Sequence, residues 1–394
     1  MAVTLPAPLA SRTPEPATLG PGTRALGWLV TLGLLYILMC AVGLISSGFR
    51  GLSGGAAHTL FDFASDPLVG LCVGVLSTVL IQSSSTTTAI AVAAVGTGAL
   101  PIEGAVPIIL GANVGTTVTC TLVALGFVGD KEHFRNALGA STIHDMYNLL
   151  SLLIFFPIEV AWHPLQRASK ALTDAVYGSA VLPDPARFNI VRTATHPVVN
   201  ALASAALHFT ETFGPLIIIL LGALLIFLSV RYVGKLLKVL MVGRARRVLT
   251  AVMGRNDYVA MGAGTLVTVL TQSSTVTQSV LVPFAGTGIL TPRQIYPVTL
   301  GANLGTTFTA LIAAFAVEGG AFTKIGLQAA FVHLLYNVFA IIVIFVIPIL
   351  RPVPLWCAQR LAAIAVDHRW LIAAYIVTVF IALPAVVILV AALM

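Results

Sequence analysis

The chain has 394 residues, of which 58% are hydrophobic and only 9% are charged, and its formal net charge is +7. Ordinary soluble domains carry roughly 25% charged residues, so this composition excludes a soluble globular protein. Apolar segments of about 20 residues, the length needed to cross a bilayer, recur along the chain. We therefore predict an all-α polytopic membrane protein, whose positive charges reflect loop orientation and not nucleic-acid binding.

The N-terminal region is predicted to contain a tail and then a membrane span. Residues 1–25 are rich in Pro, Ala and Thr, which is typical of a disordered tail. The apolar run 26–45 is longer than the roughly 7–15 residues of a cleaved signal core. It is therefore predicted to be the first transmembrane helix, and together with the first of two internal repeats, repeat 1, it forms the segment 26–160.

A polar cluster interrupts the next apolar stretch. Seven consecutive hydrogen-bonding side chains, Gln82 to Thr88, lie inside the 32-residue run 67–98. This run is longer than one span of about 20 residues and shorter than two. It predicts a re-entrant hairpin of two half-helices, although one tilted, broken helix also fits the length. Crossings are predicted for residues 106–127 and about 136–160.

The rest of the chain is predicted to contain a connector and a second membrane half. Residues 161–212 carry charges of both signs and are predicted to be a connector lying partly at the interface. Residues 213–350 are predicted to hold a linking transmembrane helix, at 213–230, and repeat 2. The basic residues that follow this helix place that side in the cytoplasm. Residues 351–394 are predicted to be a basic loop and a final transmembrane helix.

Three motifs occur twice in the same order. LIQSSSTTTAIAV returns as LTQSSTVTQSVLV at an offset of 190 residues, and PIILGANVGTTVT returns as PVTLGANLGTTFT with nine of thirteen positions identical. HDMYNLL returns as HLLYNVF at an offset one residue shorter. These copies define repeats 1 and 2, and the charge pattern predicts that they have opposite topology. Inverted repeats with broken helices are typical of secondary transporters, whose site lies between the repeats.

The two polar clusters can bind an anion, a hard cation or both. Half-helix N-termini attract anions through free N–H groups, and the serine and threonine hydroxyls donate further bonds. The same hydroxyls, with the amides of Gln82 and Gln272, offer oxygens to a cation. Neither cluster contains Arg or Lys, so a dianion needs positive compensation. Co-bound sodium ions are the simplest source of it.

Asp145 is a second candidate, since a carboxylate inside a membrane is by default a functional hypothesis. Pairing with His144 and attraction of a cation are both open for it. Ser84 and His144 also raise the alternative of an intramembrane serine hydrolase. No nucleophile-elbow glycine pattern accompanies Ser84, and catalysis does not need a duplicated site, so we expect no enzyme.

LIQSSSTTTAI with PIILGANVGTTVT, and LTQSSTVTQS with YPVTLGANLGTTFTALIAA, resemble the signature repeats of the type II sodium-phosphate cotransporter (Na/Pi cotransporter) family. The resemblance covers about residues 24–383. It implies sodium-driven uptake of inorganic phosphate, with substrate and sodium held between the two QSS regions. The implied phosphate-binding residues are Ser83, Ser84, Ser85, Thr86, Ser273, Ser274 and Thr275. The expected sodium ligands are Gln82, Gln272, Asn113, Thr116, Asn303 and Thr306, together with Asp145. Another oxyanion, sulfate or a dicarboxylate, is the alternative substrate.

The chain also departs from the animal pattern of this family. The second motif reads QSST, so Thr275 supplies the last hydroxyl, and the short connector contains no cysteine. The chain ends after one predicted C-terminal span without a basic tail. These departures lead us to expect a bacterial member in the inner membrane, with a cytoplasmic N-terminus. We expect phosphate, sodium and lipid as partners, no cofactor besides sodium as coupling ion, no nucleic acid, and assembly as a homodimer as an open option.

Overall fold

The computed structural model of the chain describes residues 20–51, 66–177, 190–209, 213–252, 256–316 and 320–393. These residues form helices joined by short turns, and they contain no β-strand. Seven of the helices are long and apolar enough to cross a membrane. The prediction of an all-α polytopic membrane protein is therefore confirmed.

The first helix, α1, spans Pro21–Gly51, so the predicted tail is five residues too long. Proline is favoured at the first position of a helix, because its fixed φ suits the helix and its missing N–H is not needed there. The backbone N–H of Arg24 already donates to the carbonyl O of Gly20 at 3.0 Å. Residues 1–19 of the predicted tail lie outside the described residues.

Helix α2 (Pro67–Ile81) and helix α3 (Ser84–Gly96) flank the first polar break. The carboxylate of Asp66 caps α2 by accepting from the N–H groups of Leu68 and Val69 at 2.8 and 2.9 Å. The helix ends at Gln82, whose φ of 57° lies in the left-handed region. Helix α4 (Ile102–Gly115) and the short helix α5 (Val118–Ala124) follow, and together they provide one predicted span.

Helix α2 runs parallel to α4. A Cβ at Gly70 would lie 3.3 Å from the carbonyl O of Gly104, whereas one at Gly115 would meet the Thr78 side chain at 2.8 Å. Contacts therefore advance in the same direction along both helices. Helix α3 leads from the end of α2 to the start of α4, so it must run antiparallel to both. Helices α2 and α3 therefore form a hairpin instead of one tilted, broken helix. The position of this hairpin in a bilayer stays a prediction.

The connector contains two helices, and the linking helix is longer than predicted. Helix α6 (Lys131–Trp162) is followed by α7 (Pro164–Val176) and α8 (Ile190–Phe209). Helix α9 spans Gly214–Val252, so the helix continues for 22 residues past the predicted end of the span at residue 230. Ten of these 22 residues are Leu, Lys or Arg, which are strong helix formers.

The second half reproduces the helix boundaries of the first. Helices α10 (Asp257–Thr271) and α11 (Ser274–Gly286) have the bounds of α2 and α3 shifted by 190 positions. Helices α12 (Pro292–Ala316) and α13 (Gly320–Ala340) follow, and a π-helical turn extends α13. A Cβ at Gly301 would lie 1.9 Å from the carbonyl O of Met261, so α10 packs on α12 as α2 packs on α4. Opposite membrane topology of the two halves stays a prediction.

The last region holds a helix where a basic loop was predicted. Helix α14 spans Pro352–Asp367, and Pro352 occupies its first position, as in α1. Ala358, Ala362 and Ala365 are at most 1% exposed, so the helix buries a small-residue face while Arg360 stays exposed. Helices α15 (Trp370–Val377) and α16 (Leu383–Leu393), joined by a π-helical turn, form the predicted final span.

Candidate functional site

Both polar breaks line one cavity of about 290 Å³. One water molecule needs roughly 10–15 Å³ of such a volume, so the cavity has room for a small hydrated ion. Nine of the predicted site residues line it, and they are Gln82, Ser83, Ser84, Ser85, Thr116, Gln272, Ser273, Ser274 and Thr275. The five others, Thr86, Asn113, Asn303, Thr306 and Asp145, are buried elsewhere.

The two glutamines hold the breaks in shape. The amide nitrogen of Gln272 donates to the carbonyl O of Val269 at 2.7 Å, while its Oε1 accepts from the Thr309 hydroxyl at 2.9 Å. Gln82 makes the equivalent bonds to Val79 and Thr119. Each glutamine has positive φ and ties the end of its half-helix to the neighbouring crossing helix. Their side chains are thus already engaged in structural bonds.

The hydroxyls of the clusters divide into two classes. Ser83 and Ser273 are helix caps, since their Oγ atoms accept from the N–H groups of Thr86 and Val276 at 3.2 and 3.4 Å. The Thr86 hydroxyl lies 2.9 Å from the Ser83 hydroxyl and is fully buried. The other class comprises the cavity-lining hydroxyls with no hydrogen-bond partner among the described residues, which are those of Ser84, Ser85, Ser274 and Thr275.

Backbone donors reinforce this second class. The first N–H groups of a helix lack intrahelical acceptors, and at α3 the N–H of Ser83 is bonded to Thr78 O and that of Thr86 to its cap. The N–H groups of Ser84 and Ser85 are left over. At α11 the N–H groups of Ser274 and Thr275 are likewise left without an acceptor. Two helix N-termini, each carrying roughly half a positive charge, therefore point into the cavity region.

A separate buried network of asparagines joins the two halves. Asn148 Oδ1 accepts from the amide of Asn303 at 2.8 Å and from that of Asn113 at 3.4 Å. Asn113 also donates to Asn337 Oδ1 at 3.3 Å, and Asn303 Oδ1 accepts from His144 Nε2. These amides bond to one another and do not line the cavity, so their role as sodium ligands stays a prediction.

The remaining predicted sodium ligands have different surroundings. Thr116 and Thr306 each donate to a carbonyl one turn earlier in their own helices, at 3.0 and 2.9 Å. Asp145 is 1% exposed, and its Oδ2 accepts from the Thr121 hydroxyl at 3.1 Å. Its Oδ1 has no hydrogen-bond partner among the described residues. The carboxylate is therefore a buried group that interacts with the hydroxyls of Thr117 and Tyr375 as well as that of Thr121, away from the main cavity.

Two charged residues of the cavity were not predicted from the sequence. Arg231 and Lys235 of α9 line the cavity with Phe227 and Val230, although the sequence was interpreted as placing no cation near the clusters. Phe227, Arg231 and Lys235 recur every four residues and so share one face of α9. The spacing of four residues could have indicated a shared helical face, but only if the helix were known to continue past residue 230. Asn148 and Asn337 were also missed, although both lie in the repeated motif that begins with His144 and His333.

The sequence was compared with protein-family models and with curated and solved proteins. The family model described as Na+/Pi-cotransporter matches residues 37–181 and 224–347, which is more than half of the chain. The chain belongs to the Na+/Pi-cotransporter family. This confirms the resemblance seen in the motifs, whereas the expected bacterial origin stays untested. No solved structure matches the chain.

Relatives of this Na+/Pi-cotransporter family member include named mammalian proteins. The chain is 30% identical to sodium-dependent phosphate transport protein 2B of Pongo abelii over 90% of its own length and 64% of the relative. It is 31% identical to protein 2A of Rattus norvegicus over 93% of its length and 68% of the relative. The chain thus spans about two thirds of the relatives it matches. Their names describe transport proteins and not enzymes.

Proposed function

We propose that the protein is a secondary active transporter that couples sodium entry to uptake of inorganic phosphate. The observation that carries this proposal is the shared cavity, in which unpaired hydroxyls and helix N-termini from equivalent breaks face the same space. Several donors arranged around a small space suit an anion with several acceptor oxygens. The names of the relatives, sodium-dependent phosphate transport proteins, supply the coupling ion and favour phosphate over other oxyanions.

We assign the phosphate to the second class of hydroxyls, those of Ser84, Ser85, Ser274 and Thr275. Ser83, Ser273 and Thr86 support these residues by fixing the first turns of α3 and α11. Among the described residues no Asp or Glu lines the cavity, so none of their carboxylates repels a bound oxyanion. Sulfate or a dicarboxylate would use the same donors and is the second candidate substrate. The serine hydrolase hypothesis loses support, because His144 bonds to Asn303 and not to Ser84.

Sodium is proposed to bind at oxygens near the breaks and at Asp145. Gln82, Gln272 and Thr116 line the phosphate cavity, so a cation there can compensate the charge of the anion. Asn113, Asn303 and Thr306 remain proposed as further sodium ligands, although they do not line this cavity. Asp145 has a free carboxylate oxygen, and a buried carboxylate without a cation is costly in a membrane.

Alternating access is proposed because the cavity reaches one side of the protein, while on the other side hydrogen bonds join the two repeats. The cavity extends to the exposed residues Arg231 and Lys235. At the start of α4, Gln166 of α7 bonds to Glu103 of repeat 1, and its carbonyl accepts from Gln328 of repeat 2 at 3.3 Å. Glu103 lies 13 residues before Thr116, which is roughly 20 Å along the helix.

This arrangement corresponds to a conformation open to the cytoplasm if the basic end of α9 is cytoplasmic, as the charge distribution predicts. The two halves are then inverted repeats around the phosphate site, and the N-terminus is cytoplasmic. We place the protein in the plasma membrane, which for a bacterial member is the inner membrane. A homodimer is compatible with independent cavities in each copy.

Uptake of labelled phosphate into proteoliposomes tests the proposal. An inward sodium gradient is expected to drive accumulation, and replacement of sodium by potassium is expected to abolish it. Equal uptake in potassium would contradict sodium coupling. Unlabelled phosphate should compete more strongly than sulfate or a dicarboxylate, and the opposite order would change the substrate. Labelling of Ser84 by a serine-reactive probe would instead revive the hydrolase hypothesis.

A further inference from the structure

Two cations, Arg231 and Lys235, lie at the open end of the cavity, and we call this pair the basic mouth. Both side chains are exposed and both line the cavity that contains the free hydroxyls. Helix α9 rises about 1.5 Å per residue, so Phe227 and Lys235 are about 12 Å apart along it. The lining of the cavity therefore extends about 12 Å along α9 and includes the basic mouth.

Neither cation is neutralised by a carboxylate in the part of the chain that the structure describes. The ion pairs found there involve Lys131, Lys170, Lys324, Arg351 and His133, and not the basic mouth. The guanidinium of Arg231 lies 5.6 Å from the ring centroid of Phe227, and Lys235 Nζ lies 5.4 Å from that of Tyr232. Aromatic faces orient these cations and leave their N–H donors available to an anion.

An anionic substrate such as phosphate can bind to the two cations of the basic mouth. Charge-assisted bonds from Arg and Lys to an oxyanion are about twice as strong as neutral ones, and Arg can bind two oxygens of a phosphate at once. An anion that leaves the hydroxyls toward α9 meets these donors before it reaches bulk water. An anion arriving from that side meets them first.

We propose that the basic mouth is a second anion-binding site, which holds inorganic phosphate on the α9 side of the cavity. This proposal rests on the phosphate-transport function proposed above. Because the site is reached from the side predicted to be cytoplasmic, phosphate on that side occupies it and slows release of transported phosphate. Phosphate in the cytoplasm is therefore an inhibitor of uptake that acts through Arg231 and Lys235.

Inhibition by phosphate enclosed on the cytoplasmic side of right-side-out membrane vesicles tests this site. Arg231→Gln and Lys235→Gln are each expected to raise the half-inhibitory enclosed phosphate concentration several-fold, and the double variant roughly tenfold. The half-saturating phosphate concentration on the outer side is expected to stay unchanged. The charge-conserving variants Arg231→Lys and Lys235→Arg should restore most of the inhibition. Arg360→Gln, which removes an exposed cation of α14 outside the cavity, is the matched control.

Unchanged inhibition in the double variant would overturn the second site, and so would an equal change in Arg360→Gln. In either case sodium-dependent uptake by the wild-type protein would leave the proposed function standing. Absence of sodium-dependent uptake in the wild type would refute the function itself. If the double variant fails to fold, inhibition of the wild type must still weaken as ionic strength rises, since exposed charges are screened by salt. Inhibition insensitive to ionic strength would contradict the proposal.

Discussion

The amide of Asn303 donates to the side-chain oxygen of Asn148 at 2.8 Å, joining α12 of the second half to α6 of the first. The same oxygen also accepts from Asn113. One acceptor thus serves two amides that occupy equivalent positions in the repeated GAN motifs. All three side chains are at most 3% exposed, so water cannot readily replace this acceptor.

Asn148→Ala should therefore destabilise the protein more than loss of one ordinary hydrogen bond. Leaving buried donors unpaired costs about 1–3 kcal/mol, and we expect a decrease of that size in the free energy of unfolding. Thermal unfolding in detergent measures the effect. Asn200→Ala, at an exposed asparagine of α8, is the control and should change stability little. Equal losses in both variants would show that the network adds no stability.

Ser84→Ala and Ser274→Ala should each weaken phosphate transport without unfolding the protein. Their hydroxyls make no internal hydrogen bond in the described residues, whereas a bond to a charged ligand contributes about 1.5–3 kcal/mol. The half-saturating phosphate concentration should rise roughly tenfold or more. Ser151→Ala removes a buried hydroxyl that bonds to Tyr147 O at 2.8 Å and should leave it unchanged. Normal phosphate and sodium affinity in both site variants would remove these residues from the site.

Gln82 should tolerate Gly better than Ala, which reverses the usual order in helical segments. Its φ of 57° costs an L-residue other than Gly roughly 1–2 kcal/mol. Both substitutions delete the bond to Thr119. The two variants should therefore differ in stability only by the free-energy cost of positive φ at position 82. Thermal unfolding of Gln82→Gly and Gln82→Ala measures it. Ala171→Gly, in the exposed part of α7, should destabilise as helix propensity requires. A more stable Ala variant at position 82 would mean that the left-handed turn is not retained.

Asp145→Asn should alter the sodium response if the free carboxylate oxygen binds a cation. Loss of one charged ligand is expected to raise the half-activating sodium concentration about tenfold, the equivalent of roughly 1.4 kcal/mol. Uptake at varied sodium and saturating phosphate provides the measurement. Asp367→Asn removes an exposed carboxylate paired with Lys131 and should have no effect. An unchanged sodium curve in Asp145→Asn would assign Asp145 a structural role.

The contact between α7 and α13 should depend on pH. Lys324, followed by Lys170, holds the pKa of Asp174 below its ordinary value, because both ammonium groups favour the carboxylate. The ion-pair contribution to this contact is therefore complete above the ordinary pKa of about 3.9 and is lost as pH falls through the lowered value. Amide hydrogen exchange of residues 164–176, corrected for its intrinsic pH dependence, should show this loss.

Substitution of Lys324, the ion-pair partner of Asp174, tests the same prediction more directly. Lys324→Gln should reduce protection of residues 164–176 already at neutral pH and move the acid-induced loss to higher pH. Lys131→Gln breaks a different exposed ion pair, with Asp367, and should leave the exchange of α7 unchanged. Identical exchange profiles in the two variants would show that Asp174 and Lys324 do not fix α7.

The polar breaks were predictable because hydrogen-bonding residues in an apolar run are costly in lipid, and the helices do end at Gln82 and Gln272. The direction of α3 was not predictable, since run length fits either a hairpin or a broken helix. It is fixed by glycine contacts between α2 and α4, which are distant in sequence. Arg231 and Lys235 were misinterpreted because charged residues after an apolar run look like a loop. Only the continuing helix brings them to the cavity.

Gly74 and Gly111, with Gly264 and Gly301, allow backbones to touch. A methyl group at any of them would lie within 2.3 Å of a carbonyl oxygen on the opposite helix. Such contacts prevent the two helices from sliding along each other, because any sliding would make their main-chain atoms clash. The first helix of each hairpin and its crossing helix must therefore move together as a rigid body. Whatever exposes the cavity to the second side has to shear the molecule elsewhere, along surfaces where side chains and not backbones meet.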